Sequence, residues 1–232
     1  MRGLLQKRLD KLLYGRYEMK NSFKLISIDL DGTITQVVTE EYVLRKLAPE
    51  KLSIYQKLED MLNKNESKAE EIIKKQFELL IGLNEREIKK TMREIPLTKN
   101  IKKAIEKMKE DGLIVIILTD NIDVFCEAIM DMLPLDYAVC SETIRMNKKI
   151  IKLGKLNTRK EEGLKDFLKQ HNISAKQCIH IGDWRNDIPV FKIVGLGVAF
   201  LPKDQRIIKY ATLTFNINDF LLLYKTLQCI IK

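Results

Sequence analysis

The fold is decided by residues 23–33, which run Phe-Lys-Leu-Ile-Ser-Ile-Asp-Leu-Asp-Gly-Thr. A mainly apolar run rich in β-branched side chains stops at two acids and a glycine. This is the pattern of a buried strand that ends in a tight loop. In α/β proteins such strand ends commonly form the active site. We therefore predict that Asp29 and Asp31 lie at the carboxyl end of a core strand.

The two acids stand one residue apart and are followed by Gly32. Buried structural acids normally occur singly with a basic partner, so this pair suggests a chemical role. With Asp29 as nucleophile and Asp31 as acid and base, the pair can attack a phosphoryl group, protonate the leaving alcohol and activate water. Gly32 lets the loop turn and exposes N–H groups to an anion. The alternative, a solvated turn, requires a chance Asp-x-Asp-Gly-Thr at odds of about one in a thousand.

Three further stretches complete a resemblance to the haloacid dehalogenase superfamily. Residues 113–119 form an apolar strand that ends at Thr119, and residues 178–182 form another that runs into Gly-Asp-Trp-Arg-Asn-Asp at 182–187. Lys160 has the family's spacing before the second strand, with Lys152 and Lys155 as alternatives. The four motifs occur in the family's order and cover most of the chain. Within the superfamily, the chain resembles the phosphoserine-phosphatase-like members.

The resemblance implies a doubly wound, Rossmann-like α/β fold with a mainly parallel sheet. It also implies catalysis by Asp29, Asp31, Thr119 and Lys160. Mg²⁺ is the implied cofactor, because its preference for oxygen ligands suits an all-carboxylate site. Its ligands would be the Asp29 carboxylate, the Asp31 carbonyl and Asp183, with Asp187 positioning metal-bound waters or Lys160.

Further residues near these motifs are predicted to bind substrate: Gly32, Asp120, Asn121, Trp184 and Asn186. The Asp120-Asn121 pair replaces two glycines found in many relatives that resemble phosphoserine phosphatase. Several alternatives remain open. Thr119 either donates to phosphate or caps the next helix, and Asn186 either bonds substrate or caps a helix. Trp184 either floors the pocket or packs against a cap.

Lys160 also has a feature of its own. Thr158 and Glu161 have capping-box spacing, which predicts a helix that runs to about His171. Lys160 then lies in the first turn, where the helix dipole disfavours a cation. We therefore expect an anionic group to compensate its charge.

The segment 36–96 contains no convincing strand. Capping-box spacings at Ser67 with Glu70 and at Asn84 with Glu87, together with helical apolar periodicity, predict three or four helices. We interpret this segment as a helical cap inserted between residues 22–35 and 97–232 of the core. Thr98 is predicted to cap the helix that follows and Gly112 to end it. Residues 1–21 are predicted to form an amphipathic helical extension.

Composition excludes several classes of protein. The chain has 232 residues and a net charge of +9, but its lysines alternate with glutamates at helical spacing, so we expect solvated helix faces and no nucleic-acid binding. Four scattered cysteines show neither zinc nor disulfide spacing. No apolar run is long enough for a membrane span, and the first residues lack a signal-peptide layout. We expect a cytoplasmic protein, with a homodimer as one option for its assembly.

The leading hypothesis is a phosphomonoester hydrolase acting on a small phosphorylated metabolite. A phosphotransferase or mutase and a catalytically silent binding protein are the alternatives. For phosphoserine phosphatase proper, the resemblance places the cap glutamate and cap arginine of that enzyme at Val38 and Gln76. Neither side chain carries the needed charge. Glu40 or Glu41 could replace the glutamate and Lys74 or Lys75 the arginine, but lysine lacks the fork that grips a carboxylate. We therefore expect a substrate other than phosphoserine.

Overall fold

The computed structural model describes residues 23–231, so the helix predicted at 1–21 lies outside the described residues. The main sheet has six strands: β1 (Leu25–Ile28), β2 (Ile114–Ile122), β3 (Tyr137–Ser141), β6 (Cys178–Gly182), β7 (Leu196–Phe200) and β8 (Leu213–Phe215). A separate antiparallel hairpin comprises β4 (Thr143–Met146) and β5 (Lys149–Leu153). The strand order is β3-β2-β1-β6-β7-β8, and every pairing is parallel. The predicted α/β class is confirmed.

Strands β2 and β3 follow β1 in the chain and lie on one side of it, whereas β6, β7 and β8 lie on its other side. The strand order therefore reverses at β1. Every residue of β1 is fully buried. Its partners are Ile114–Ile117 of β2 and Cys178–Ile181 of β6. In open α/β sheets, ligands bind beyond the carboxyl ends of the strands at such a point. The topology therefore puts Asp29, the residue after β1, at the expected position of a site.

Four helices occupy the segment after β1: α1 (Thr39–Leu47), α2 (Leu52–Lys64), α3 (Ala69–Glu78) and α4 (Glu85–Met92). Six more accompany the sheet: α5 (Ile101–Glu110), α6 (Asp123–Met130), α7 (Lys160–Gln170), α8 (Ile188–Phe191), α9 (Gln205–Ile208) and α10 (Phe220–Ile231). One buried apolar cluster joins the first four helices to one face of the sheet, for example through Leu44, Phe77 and Ile28. A second cluster, which includes Leu164, Leu168 and Val190, covers the other face. Burial of each such side chain stabilises the fold by about 1.5–3 kcal/mol.

The chain enters and leaves the four-helix segment at adjacent points. Thr35 pairs with Leu97, and the Thr98 N–H donates to the Ile34 carbonyl at 2.9 Å. The Thr98 hydroxyl donates to the Thr33 carbonyl at 2.6 Å, so the prediction that Thr98 caps α5 is wrong. Asn100, with φ of 60°, is the N-cap residue instead. Thr98 fastens the exit of the segment to its entry.

Two other local predictions have different outcomes. Ser67 bonds to the side chain of Asn65 and makes no capping bond to α3, so that predicted cap is wrong. Asn84 does cap α4 by accepting the Arg86 N–H at 2.9 Å. Gly112, with φ of +81°, follows the end of α5 as predicted.

The hairpin of β4 and β5 turns at Asn147 and Lys148. Both residues have positive φ values, 50° and 64°, which is the conformation of the tight turn that matches strand twist. The hairpin also contacts the four-helix segment, because the Gly82 N–H donates to the Ile150 carbonyl at 2.8 Å. The four cysteines are free, and no helix between residues 23 and 231 is both long and apolar enough to cross a membrane.

Candidate active site

Two of the predicted acids lie side by side at one edge of the sheet. Asp29 directly follows β1 and Asp183 directly follows β6, its parallel neighbour. The Asp29 N–H continues the pairing by donating to the Ile181 carbonyl at 2.9 Å. Asp29 is 4% exposed and Asp183 is 2% exposed. Parallel strand ends therefore bring together two carboxylates that are 154 positions apart in the chain.

Lys160 is the first residue of α7 and is buried between two acids, Asp29 and Asp187. Its Nζ lies 2.7 Å from Asp29 Oδ1 and 2.8 Å from Asp187 Oδ1. The anionic compensation expected for this lysine is thus present. The predicted cap at Thr158 is wrong, since Arg159 precedes the helix and no side chain makes a capping bond. The position of Lys160 is set by its ion pairs with the two buried acids.

Asp187 is held by several donors at once. Its Oδ1 contacts His180 Nε2 at 3.0 Å as well as Lys160, and its Oδ2 accepts the Trp184 N–H at 3.3 Å. His180 in turn contacts the Ser27 hydroxyl through Nδ1 at 2.9 Å. These contacts engage both oxygens of Asp187. The arrangement suits a residue that positions Lys160 better than a direct metal ligand.

The charges at this edge are unbalanced. Asp29, Asp183 and Asp187 offer carboxylate oxygens within 4.8 Å of one another, and Lys160 contacts only two of them. Burial raises the pKa of Asp29 well above its usual range, with Lys160 opposing the shift and the other two acids adding to it. Burial likewise raises the pKa of Asp183 to about 6, although Lys203 lies 3.1 Å away. Burial opposes ionisation of Asp187 too, but Lys160 and His180 bring its pKa below the usual value.

These residues fit a divalent cation. Asp183 Oδ1 is buried and has no hydrogen-bond partner among the described residues. Gly32, with φ of +76°, leaves space beside it, because a Cβ there would lie 2.0 Å from Asp183 Oδ2 and 2.4 Å from Lys203 Nζ. A cation would supply the positive charge that the acids lack and would lower their pKa values. Hard carboxylate oxygens in this number suit Mg²⁺.

Asp31 is oriented by the start of α1. Its Oδ1 accepts the Thr39 N–H at 2.9 Å and also contacts the Thr39 hydroxyl, while its Oδ2 accepts from Asn121 Nδ2 at 2.9 Å. Burial raises the pKa of Asp31 and the Thr39 hydrogen bonds oppose that shift. A carboxyl group with a raised pKa retains its proton to higher pH and can act as a general acid.

The polar residues after Thr119 still belong to β2, so the prediction that this strand ends at Thr119 is wrong. β2 continues to Ile122 through an irregular pairing with β3. Thr119 is buried, and its hydroxyl oxygen accepts the Asn121 N–H at 3.2 Å. Asp120 accepts from Asn186 Nδ2 at 3.2 Å, while Asn186 Oδ1 is buried and has no hydrogen-bond partner among the described residues. Thr119 therefore does not cap α6, whose N-cap residue is Ile122.

A cavity of about 200 Å³ opens between the acids and the helices α1, α2 and α3. Six of the predicted site residues line it, and they are Asp29, Asp31, Asp120, Asp183, Trp184 and Asn186. Asn121, Lys160, Gly32 and Asp187 lie behind this wall, each next to a residue that forms it, and Thr119 directly precedes the wall residue Asp120. The structure thus gathers every predicted site residue at or directly behind one cavity.

Sequence reasoning missed part of the cavity wall, namely Tyr55, Glu59, Phe77 and Lys203. Lys203 follows the carboxyl end of β7, a position that could have identified it. Tyr55, Glu59 and Phe77 had no such signal, because they look like ordinary positions of amphipathic helices. Val38 and Gln76, which the resemblance placed at the substrate-recognising positions, both line the cavity.

The fold and the site define a hydrolase of a known family. Residues 42–220 match the family model of the haloacid dehalogenase-like hydrolases, so the chain belongs to that family. The chain is a phosphatase of the phosphoserine-phosphatase-like subgroup, as the motifs predicted.

Its relatives include a phosphoserine phosphatase of Methanocaldococcus jannaschii, 28% identical over 198 residues that cover 80% of this chain and 89% of the relative. A phosphoserine phosphatase of Archaeoglobus fulgidus is 24% identical over 188 residues, covering 78% of this chain and 53% of the relative. Among solved structures, a phosphoserine phosphatase in its apo form superposes with a TM-score of 0.73 at 23% identity, covering 88% of this chain and 98% of that one. The structural likeness supports the fold.

Proposed function

We propose that this phosphatase is a Mg²⁺-dependent phosphomonoester hydrolase that acts on a small metabolite through an aspartyl phosphate at Asp29. The observation that carries the proposal is the environment of Asp29. The nucleophile candidate contacts buried Lys160 through Oδ1, lies in the same carboxylate cluster as Asp183 and lines a closed-in cavity. The hydrogen bond from the Leu30 N–H also uses Oδ1, which leaves Oδ2 for attack.

The reaction needs two steps that share one acid. Asp29 attacks phosphorus, the bond from phosphorus to the alcohol oxygen breaks, and Asp31 gives its proton to that oxygen. Water then transfers a proton to Asp31 while its oxygen attacks phosphorus, and the bond to Asp29 breaks to release inorganic phosphate. Both carboxyl groups return to their starting protonation states, so the cycle is balanced.

The surrounding groups would stabilise charge on the transferring phosphoryl. Mg²⁺, held by Asp29, Asp183 and the Asp31 carbonyl, would supply positive charge at the phosphate oxygens. Lys160 would add a fixed charge, with Asp187 orienting it. The Thr119 hydroxyl accepts a bond from Asn121, so its own proton remains available for donation. We assign residues 36–96 as a cap, because α1, α2 and α3 form the far wall of the cavity and reduce access of water.

Phosphoserine phosphatase proper is a second candidate, and the names of the relatives favour it. The cavity wall argues against phosphoserine as the substrate. Val38 and Gln76, at the two recognition positions, carry no charge, and the possible arginine substitutes Lys74 and Lys75 are exposed. Among the predicted substitutes for the missing glutamate, Glu40 lines the cavity, whereas Glu41 pairs with Arg45 on the surface.

Hydrolysis of p-nitrophenyl phosphate tests the proposed function. We expect turnover that is lost on chelation and restored by Mg²⁺, with Ca²⁺ a poor substitute because its higher coordination number allows it to occupy both oxygens of the nucleophile. Asp29→Asn should lower turnover by about 10³-fold or more, since an amide is a poor nucleophile. Rapid quenching and intact-mass measurement should find a phosphorylated protein in the parent chain alone.

Asp166→Asn, at an exposed position of α7, is the matched control and should keep full activity. Activity of Asp29→Asn near that of the parent would contradict the aspartyl-phosphate mechanism. Full activity with metal content verified as negligible would contradict the assignment of Mg²⁺. Light scattering would determine whether the chain forms a homodimer, which the sequence gives as one option for its assembly.

A further inference from the structure

The far wall of the cavity is acidic and aromatic. Three helices contribute to it: Glu40 from α1, Tyr55 and Glu59 from α2, and Phe77 from α3. Among the described residues that line the cavity, Lys203 is the one cation, and it lies on the opposite side in contact with Asp183. Among the described residues that line it, the wall that would meet the leaving group of a substrate therefore holds two carboxyl groups and no basic side chain.

Glu59 is held in place by neutral donors. Gln76 Nε2 donates to Glu59 Oε2 at 2.9 Å, and Gln76 is itself only 3% exposed. The second contact of Glu59 within the described structure is the amide of Asn63, at 3.4 Å from Oε1. These bonds fix the carboxylate at the cavity wall and leave its charge unpaired. An unpaired charge in a partly closed cavity is complementary to a cation in the ligand.

Glu40 is a second carboxyl group on this wall, and it lies nearer to the catalytic acid Asp31. It is 7% exposed, and the amide of Asn121 donates to it at 3.3 Å while also donating to Asp31. Burial, and next the charge of Asp31, raise the pKa of Glu40 well above its usual range. A positive group in the cavity would oppose both effects by stabilising the ionised carboxylate.

The aromatic residues strengthen this complementarity. Tyr55 is 3% exposed and Phe77 is 1% exposed, and both line the cavity, whereas the ring of Trp184 already has the Arg185 guanidinium 5.1 Å from its centroid. Burial, and next the charges of Glu40 and Glu59, raise the pKa of the Tyr55 hydroxyl, and all three residues line the cavity. Aromatic faces attract ammonium groups, particularly where water is excluded.

We propose that the natural substrate is a phosphomonoester of an amino alcohol that carries an ammonium group and no carboxylate. The ammonium would lie between Glu40 and Glu59 against the rings of Tyr55 and Phe77, while the phosphate lies at Asp29. A substrate carboxylate would instead meet two acids and no base on this wall. The cavity of about 200 Å³ is smaller than the usual 300–1,000 Å³ of ligand pockets, so it suits a substrate with a short carbon chain. The proposal rests on the proposed function and specifies its substrate.

The test compares substrates that differ in one group. O-Phosphoethanolamine and 2-hydroxyethyl phosphate have the same length and differ only in an ammonium against a hydroxyl. We expect kcat/KM to be at least tenfold higher for the amine, and phosphoserine, which adds a carboxylate, to fall at least tenfold below it. Equal values for amine and alcohol, within threefold, would overturn the proposal. So would phosphoserine as the better substrate.

The variant Glu59→Gln keeps the shape of the side chain and removes its charge. We expect the ratio of kcat/KM for the amine to that for the alcohol to fall at least tenfold. Asp60→Asn, the adjacent and exposed position on α2, is the matched control and should leave the ratio and the activity unchanged. An unchanged ratio in Glu59→Gln would remove Glu59 from the recognition of substrate and overturn the proposal.

A binding measurement separates this proposal from the proposed function. Calorimetric titration of the Asp29→Asn protein with each phosphate ester, in the presence of Mg²⁺, requires no turnover. Binding of O-phosphoethanolamine at least tenfold tighter than that of 2-hydroxyethyl phosphate would support the substrate class. That support would hold even if p-nitrophenyl phosphate were not hydrolysed, because the lack of hydrolysis would end only the hydrolase proposal. Hydrolysis of p-nitrophenyl phosphate without any preference for the amine would leave the hydrolase and end the substrate class.

Discussion

Asp29 and Lys160 form a buried ion pair, with 2.7 Å between Oδ1 and Nζ and side chains that are 6% and 1% exposed. Lys160 also contacts Asp187, so one lysine links the strand end of β1 to the loop after β6. In a site that needs Asp29 ionised and oriented, this lysine meets both requirements. The same contacts make it a structural element of the fold.

Replacement of Lys160 by Met should therefore reduce both stability and activity. The change leaves Asp29 and Asp187 buried without their cation, and loss of one partner of a buried pair costs about 3–5 kcal/mol. Chemical denaturation would measure the free energy of unfolding. Lys165→Met, at an exposed position of the same helix, should change it by less than about 0.5 kcal/mol. Equal stability of the two variants would show that the buried pair is not stabilising.

The variant Asp31→Asn should separate leaving groups by their need for a proton. Alkyl phosphates require protonation of the departing oxygen, so their kcat/KM should fall by about 10²–10⁴-fold. p-Nitrophenolate leaves without a proton, so formation of the phosphoenzyme from p-nitrophenyl phosphate should be less impaired. Burst kinetics with each substrate would measure the difference. Equal losses for both leaving groups would argue against Asp31 as the general acid.

Gly32 should be required for metal binding because of the space beside it. In Gly32→Ala the new Cβ would collide with Asp183 Oδ2, and Asp183 would have to move from the position that suits the cation. We expect the affinity for Mg²⁺, measured by calorimetry, to fall by about tenfold or more. Gly112→Ala is a matched control, since Gly112 also has positive φ, +81°, but has open space around its Cβ position. It should lose stability by about 1 kcal/mol and keep its Mg²⁺ affinity.

The ion pair between Arg145, on the hairpin, and Glu127 should make the free energy of unfolding depend on pH in the acid range. Its guanidinium donates to both oxygens of Glu127, at 2.6 Å and 2.9 Å. These bonds, together with the Lys89 ammonium 2.8 Å from Oε2, lower the pKa of Glu127 to about 2 despite partial burial. A lowered pKa in the folded state stabilises the fold above pH 4.5, and that contribution is lost as the pH falls toward 2.

The corresponding test compares the parent chain with Glu127→Gln. Glu127 is 38% exposed, so screening limits the expected difference at pH 7 to about 1 kcal/mol. Thermal unfolding between pH 2 and 7 should show the parent chain as more stable above pH 5 and the two proteins converging near pH 2. A difference that stays constant over this range would rule out the ion pair as its source.

The sequence alone was sufficient for the ends of β1 and β6 and for the acids that follow them, but not for the end of β2, which continues past Thr119. A buried strand, its terminal acids and the next turn are specified within a few residues, and parallel strands share one edge. The positions of Asp29, Asp31 and Asp183 therefore followed from local patterns and from the resemblance. The turn at Asn147 and Lys148 was also predictable, since it depends on the backbone preferences of two residues.

Tertiary packing decided those features for which the local sequence pattern is compatible with two different structures. Thr98 and Thr158 have the side chains of helix caps, but contacts from distant segments set where α5 and α7 begin. The acidic and aromatic wall of the cavity formed because amphipathic helices turned Tyr55, Glu59 and Phe77 toward the site, which no periodicity distinguishes from ordinary core packing. The raised pKa values of Asp29 and Glu40 likewise depend on burial and on nearby charges. These are properties of three-dimensional proximity, because electrostatic energy depends on distance and solvent exposure and not on position in the chain.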